Sequence, residues 1–269
     1  MIEEIDSKSY EFFRKLIYDK AGIALGHSKQ ALVAARIAKR LRVLDLPSYQ
    51  AYYDYLASGQ NPEELVQMID VISTNTTSFF RENSHFPRLQ ELLRDWHAKG
   101  RNRFRIWCAA ASTGEEPYTL SMVCQEALPI EKVDLKILAT DISTKVLRHC
   151  MEGEYTEDKA ETIPHEYLYK YFRKSENPGY LKVQDHLKKP LTFARMNLME
   201  TPYTMKGPFD VIFCRNVMIY FDRAGRQKFV DEAVRLLPLG GYLFTGHSES
   251  ISGYSNNLRA LEPSVYQRI

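Results

Sequence analysis

The chain predicts an α/β fold: an open, mostly parallel sheet covered by helices on both faces, with a small antiparallel β insertion and an all-α helical region ahead of it. Three observations carry this reading. From about residue 104, strand-like and helix-like runs alternate, the pattern of a parallel sheet joined by crossover helices. Residues 1 to about 82 show helical spacing and no strand alternation. Residues 152–192 interrupt the alternation with Tyr155, Tyr167, Tyr169, Tyr171 and Tyr180, several lysines and Pro178-Gly179, the composition of a separate small β unit.

The elements follow in order. Ser9 to Ala21 carries Phe12, Phe13, Leu16 and Ile17 at helical spacing. A helix from Ser28 places Val33, Ala34, Ile37, Leu41 and Leu44 on one apolar face, at about 100° per residue. Pro47-Ser48 opens a helix over Tyr49 to Ala57, which Gly59 ends. Asn61-Pro62-Glu63-Glu64 supplies a capping side chain, a proline and acids for a helix reaching about Ile72. Asn83 to Lys99 buries Phe86, Leu89, Leu92, Leu93 and Trp96 as its stripe. Strands are expected near 104–109, 135–140, 191–195, 209–214 and 241–246, and helices near 115–128, 143–151 and 223–237. Leu258 to Gln267 reads as a late strand pair, and His165 to Phe172 as a short helix in the insertion. The predicted domains are 1–82, helical, and 83–269, the sheet domain, with its insertion at about 152–192.

A chain of 269 residues buries enough surface to need no covalent staples. Cys108, Cys124, Cys150 and Cys214 have neither metal-ligand spacing nor a paired framework, so they are expected as buried reduced thiols. No apolar signal region opens the chain and no run is long enough to span a membrane, so a cytoplasmic protein without direct membrane insertion is expected. Net charge is only +2, but no acid occurs between Lys20 and Leu44. There Lys29, Arg36, Lys39, Arg40 and Arg42 fall on the arc left by the apolar face. Such a run is often just a solvated helix face. The missing acids favour an acidic macromolecular partner. Low net charge and the lack of an aromatic platform argue against nucleic acid.

The stretch Phe104 to Tyr118 reads as strand, small-residue turn (Ala111-Ser112-Thr113-Gly114) and helix. That unit presents nucleotide-like ligands at a strand's carboxyl end, and Asp141, closing the next strand, is placed to accept from ribose hydroxyls. One glycine and two carboxylates, Glu115 and Glu116, replace the glycine-rich phosphate cradle. They would repel an anion and attract an ammonium and a sulfonium, the charge pattern of S-adenosylmethionine. An ordinary strand–helix turn would carry the same acids to complement its helix dipole, so both readings stand on this pattern alone. Three further segments are unusual. Ser73 to Arg81 sets hydroxyls and Asn75 before Phe79-Phe80-Arg81; Asn75 and Thr77 can bond a carboxylate or amide, and Arg81 can grip a carboxylate in two places. Asp210 to Phe221 delivers Arg215 and Asn216 to a strand's carboxyl end, followed by Tyr220, and Gly246-His-Ser-Glu249 lies just past another strand.

Asn-x-Thr-x-Phe-Phe-Arg, Ala-Ser-Thr-Gly-Glu-Glu-Pro-Tyr, Phe-Cys-Arg-Asn-Val-x-Ile-Tyr-Phe and Gly-His-Ser-Glu, in this order over nearly the whole chain, resemble the bacterial chemotaxis receptor methyltransferases, the CheR family. The resemblance implies a Rossmann-like S-adenosylmethionine-dependent methyltransferase domain with an inserted β subdomain behind an all-α domain. It implies a protein-glutamate O-methyltransferase that forms methyl esters on the cytoplasmic helices of chemoreceptors in chemotaxis adaptation, releasing S-adenosylhomocysteine. The cofactor contacts it implies are Asn75, Thr77, Arg81, Glu115, Asp141, Asn197, Leu198, Arg215 and Asn216. Glu115 would meet the ammonium, Asp141 the ribose and Asn197-Leu198 the adenine edge; Arg81 and Tyr220 would line the methyl-transfer centre. Arg36, Lys39, Arg40 and Arg42 would dock the receptor. A monomer without a metal is expected. Lys174 to Tyr180, a short loop with one glycine, suggests a member that needs no receptor tether peptide. Competing readings are a methyltransferase for nucleic acid or a small molecule and a non-catalytic S-adenosylmethionine sensor; the missing glycine pattern speaks against a nicotinamide oxidoreductase.

Overall fold

A computed structural model describes residues 5–73 and 75–269; Thr74, inside the hydroxyl-rich segment, lies outside the described residues. The first four α-helices form a bundle, and side chains cap the starts of three of them. Helix α1 (Ser7–Ala21) starts at Asp6, whose Oδ1 accepts from the Ser9 N–H at 2.9 Å. A 3₁₀ turn, His27–Lys29, leads into α2 (Gln30–Leu44). Ser48 caps α3 (Tyr49–Ala57), and Asn61 caps α4 (Pro62–Ile72). Tyr10, Phe13, Ile17, Val33, Ile37, Leu41, Tyr52 and Met68 form the core of this bundle.

A buried carboxylate joins the helices around that core. Glu64, 3% exposed, accepts from Arg40 Nε at 2.8 Å and Nη2 at 2.6 Å, and from the Tyr52 hydroxyl at 2.7 Å. Arg36 bonds the carbonyls of Ile72 and Ser73, at the carboxyl end of α4. The arrangement corrects the expectation that α2 presents Arg36 and Arg40 to a partner. Their backbone positions fit the polar arc, but the long stems fold back onto α4. There a buried carboxylate and the open carbonyls of a helix end give stronger partners than water. Lys39 and Arg42 remain exposed.

After α5 (His85–Ala98) the expected alternation begins: β1 (Arg103–Cys108), α6 (Glu115–Ala127), β2 (Asp134–Asp141) and α7 (Thr144–Glu152). The insertion contains β3 (Glu154–Thr156), α8 (Glu157–Ala160), α9 (His165–Tyr171), β4 (Phe172–Lys174), β5 (Tyr180–Val183) and α10 (Asp185–Lys188). Then come β6 (Leu191–Arg195), β7 (Val211–Cys214), α11 (Arg223–Leu236), β8 (Tyr242–Thr245), β9 (Leu258–Glu262) and β10 (Val265–Arg268). The main sheet has the order β6-β2-β1-β7-β8-β10-β9, parallel from β6 to β8, with β10 and β9 added antiparallel. The strand order reverses at β1, between β2 and β7, which is where an open sheet of this type leaves a crevice at its carboxyl ends.

The two faces of the sheet have separate cores. Phe104, Ile106, Phe213 and Phe244 pack with Phe86, Leu89 and Leu93 of α5 and Leu120 and Val123 of α6. Trp107, Ile212 and Leu243 pack with Phe229, Ala233 and Leu236 of α11. This alternation along each strand lets both faces bury without exposing an apolar side. The insertion is a three-stranded antiparallel sheet, β3-β5-β4. Its aromatics mostly build its own core: Tyr155, Tyr171 and Phe172 are buried, while Tyr169 stays 83% exposed. Phe79 enters the same core, edge-on to Tyr155 and Phe172 at centroid distances of 4.9 and 5.6 Å, which fastens the segment between the bundle and the sheet to the insertion. All four cysteines are buried free thiols. No helix among the described residues is long and apolar enough to cross a membrane.

Removing one partner of a buried ion pair strands the other. Arg40→Ala is therefore expected to destabilise the chain by about 3 kcal/mol in urea unfolding, whereas Arg42→Ala, on the exposed face, should change it by less than about 0.5 kcal/mol.

Candidate active site

A cavity of about 420 Å³ lies where the strand order reverses, floored by the carboxyl ends of β1, β2, β6 and β7 and roofed by the connection between α1 and α2. The volume is that of a small-molecule site, for which about 300–1,000 Å³ is usual. The roof is held down by hydrogen bonds between the two parts of the chain. Ala24 N–H donates to the Tyr220 carbonyl at 2.8 Å, the Tyr18 hydroxyl to Asp222 at 2.7 Å, and the Asn197 amide to the Lys20 carbonyl at 2.7 Å.

The turn after β1 shapes one wall. Ser112 has φ +48° and Gly114 φ +101°, and a side chain at Gly114 would collide with the Tyr155 hydroxyl. The Ser112 N–H donates to Asp141 Oδ2 at 2.8 Å, and the Ser143 N–H to Oδ1 at 2.9 Å. Burial pushes the Asp141 carboxyl up to about 6, against the pull of these two donors; Asp70 of α4 adds to the rise. The carboxylate at the end of β2 faces the cavity.

The two acids of α6 part company. Glu116 lines the cavity: its Oε1 accepts from the Cys108 thiol at 3.1 Å and its Oε2 from Arg215 Nη1 at 3.0 Å. Burial raises its carboxyl above the ordinary range, and the Arg215 charge opposes this. Glu115 points elsewhere. It is 0% exposed, accepts from Thr113 Oγ1 and Lys159 Nζ, each at 2.6 Å, and does not line the cavity. This corrects the expectation that Glu115 meets a cationic ligand. Successive residues of a helix point about 100° apart, so the two acids cannot share one wall.

Opposite this wall, β7 ends in a buried ion-pair network. The Arg215 side chain is 1% exposed; its Nε and Nη2 donate to Glu82 Oε2 at 3.3 and 3.2 Å, and Nη2 also bonds the Arg81 carbonyl. Asn216, at φ +58°, donates from Nδ2 to Glu82 Oε1 at 3.1 Å. Burial would raise the Glu82 carboxyl, but the Asn216 amide and the Arg215 charge outweigh it and hold it low. Glu249, 1% exposed, accepts from the backbone N–H groups of Asn216 at 2.6 Å, Ile219 at 3.0 Å and Gly246 at 2.8 Å. Its carboxylate thereby fixes the loop carrying Asn216 and Tyr220. Glu82 is not among the sequence candidates, and the sequence assigns Glu249 no role. The signal was available for Glu249, since an acid following a glycine turn beside a strand end is placed to accept backbone donors.

Of the sequence candidates, Asn75, Thr77, Arg81, Asp141, Asn197, Leu198, Arg215, Asn216 and Tyr220 all line this one cavity. Arg81 is steadied by a bond from Nη1 to the Thr76 carbonyl at 2.9 Å. Arg36 reaches the cavity rim, while Lys39, Arg40 and Arg42 do not line it. Glu82, His85 and His247 have ligand atoms within 4.8 Å of one another. Both Glu82 oxygens are engaged by Arg215 and Asn216, so the trio reads as part of the ion-pair network.

Comparison with known proteins places this geometry. The description "CheR methyltransferase, SAM binding domain" matches residues 75–266, and "CheR methyltransferase, all-alpha domain" matches residues 8–73. The chain is 39% identical over 254 residues to a chemotaxis protein methyltransferase of Salmonella typhimurium, covering 94% of this chain and 87% of that one. It is 37% identical over 261 residues to chemotaxis protein methyltransferase 2 of Pseudomonas aeruginosa, covering 96% and 92%, and 36% identical over 264 residues to the Borreliella burgdorferi protein, covering 94% and 92%.

The Glu249 carboxylate serves three backbone donors at once. Glu249→Ala should cost on the order of 3 kcal/mol in urea unfolding, because buried donors lose their acceptor. Glu249→Gln, which keeps one acceptor oxygen, should cost less.

Proposed function

The chain belongs to the CheR methyltransferase family of S-adenosylmethionine-dependent methyltransferases, and from that premise we propose that it methylates glutamate γ-carboxylates on the cytoplasmic helices of chemoreceptors, leaving S-adenosylhomocysteine. One observation carries the assignment of the cofactor: two carboxylates, Glu116 and Asp141, project into a single cavity at the reversal of the sheet, with no glycine-rich phosphate cradle beside them. The residues fit the group. Glu116 is a desolvated carboxylate suited to an ammonium, Asp141 is an acceptor at the strand end suited to ribose hydroxyls, and Leu198, with Met196 and Ile142, offers apolar surface to an adenine.

When bound, S-adenosylmethionine supplies an electrophilic methyl group on a sulfonium. The acceptor carboxylate is already ionised at neutral pH, so the chain need provide no general base. Its tasks are to bind, orient and exclude water. Charge on acceptor and sulfonium falls together as the methyl moves, so a dry cavity favours the reaction. An arginine clamped on the acceptor would hold the ground state more firmly than the transition state. Arg81, already tied to the Thr76 carbonyl, and Tyr220, on the loop that Glu249 fixes, are therefore read as orienting groups. Orientation of this kind contributes up to about 7–11 kcal/mol at best. The exposed Lys39 and Arg42 of α2 are suited to acidic receptor helices, outside the chemistry.

The deciding experiment transfers labelled methyl groups to a receptor cytoplasmic fragment and then applies mild base. Label released as volatile methanol establishes a carboxyl methyl ester; base-stable label excludes the glutamate assignment. Glu116→Gln should weaken S-adenosylmethionine binding by roughly tenfold to a hundredfold, as loss of a charge-assisted bond requires, while Glu115→Gln should weaken it far less. The ionised Asp141 is the better acceptor, so affinity should improve as pH rises through about 6. In Asp141→Asn that part of the rise should vanish, which calorimetry across pH 5–7.5 would reveal.

A further inference from the structure

The carboxylate that turns away from the cavity has a task of its own. We propose that Lys159, on α8 of the insertion, is a positioning residue for cofactor binding: its ion pair with Glu115 holds the Ser112-Thr113-Gly114 turn in the shape that receives the cofactor. The proposal rests on reading the cavity as the S-adenosylmethionine site.

Glu115 opens α6 and is 0% exposed, and its carboxylate accepts from Thr113 Oγ1 on one oxygen and Lys159 Nζ on the other. The Lys159 side chain is 40% exposed, so it reaches inward from the surface to neutralise a fully enclosed acid. An ionised carboxylate so enclosed is costly without its cation, and removing the lysine drives it toward water. It has little freedom to do so alone. Thr113 is tied to it, and Glu116, the cavity carboxylate, is the next residue in the chain. Reorienting Glu115 therefore turns the first residues of α6 and displaces Glu116.

The same turn is gripped elsewhere. The Tyr155 hydroxyl donates to the Thr113 carbonyl at 2.8 Å, the Cys150 thiol to the Ser112 carbonyl at 3.2 Å, and the Ser112 hydroxyl to the Asn75 carbonyl at 3.0 Å. The backbone needs such support, since Ser112 and Gly114 both have positive φ. Two of the grips, Tyr155 and Lys159, come from the insertion. The insertion is thus a structural arm of the cofactor site, although neither residue lines the cavity.

The test measures S-adenosylmethionine binding to the full chain by calorimetry, together with KM, kcat and thermal midpoint. Lys159→Met should raise Kd and the cofactor KM by about tenfold or more, with kcat at saturating cofactor falling much less. Lys159→Arg, which keeps the charge, should stay within about threefold of the wild type. The double variant Glu115→Gln with Lys159→Met removes acid and base together and should regain most of the lost affinity, because the enclosed charge is gone. A lowered midpoint with unchanged Kd would show a merely structural contact and overturn the proposal, as would a double variant as weak as Lys159→Met. A wild-type chain that fails to bind S-adenosylmethionine would overturn the site reading itself, and this inference with it.

Discussion

A guanidinium with 1% of its side chain exposed cannot stand alone, and the Arg215 side chain sits between Glu82 and Glu116. Most of the site's order depends on that sandwich. Glu82 comes from the segment before α5, Glu116 from α6 and Arg215 from the end of β7, so one cation ties together three separate stretches. Through Glu82 the tie extends to Asn216, and through the Arg81 carbonyl it reaches the arginine that faces the cavity. Desolvation of these groups is costly and their mutual attraction only offsets it. What the network supplies is a fixed position for Glu116, which has a pairing partner on one oxygen and still borders the cavity.

The cavity exists only because two packed bodies meet. Its floor is the sheet and its roof is the α1–α2 connection, stitched by the bonds of Ala24, Tyr18 and Asn197. Gly22 marks how close the approach is, since any side chain there would collide with Met199. Phe79 does comparable work on the opposite flank by entering the core of the insertion. The Asn75 to Arg81 strap therefore has an anchor at Phe79 and presents its polar residues from a fixed base. That explains why a segment between two domains carries an aromatic pair where a plain linker needs none.

The course of the chain was largely legible in its sequence because the signals are local. Ser48, Asn61 and the periodic apolar stripes mark helix starts and faces within a few residues, and the α3 bounds follow from Ser48 and Gly59 alone. The motifs converge because three of them sit at the carboxyl ends of neighbouring strands, so alternation alone brings Asp141, Arg215 and the turn after β1 together. What was not legible depends on distant partners. Arg36 and Arg40 occupy a polar arc in the helical wheel, yet Glu64 and the end of α4 capture them. No periodicity reveals where a flexible guanidinium finds its carboxylate. Glu82 is hidden in the sequence for the same reason: its meaning comes from Arg215 and Asn216, more than a hundred residues away.

The pair Glu115-Glu116 shows where pattern reading stops and geometry must take over. Both acids open one helix, both suit its dipole, and composition cannot rank them. Rotation about the helix axis separates them, and their partners settle which is which. Glu116 keeps a cation on one side and the cavity on the other, whereas Glu115 has its charge consumed by Lys159. A carboxylate meant to receive a cationic ligand must have its charge incompletely matched in the free protein, or the ligand gains nothing by arriving. Glu116 meets that condition, since the guanidinium it pairs with is shared with Glu82. Glu115, matched one to one, does not. Under the proposed assignment, the two acids that share Arg215 make this wall better suited to a cationic ligand than to an anionic one.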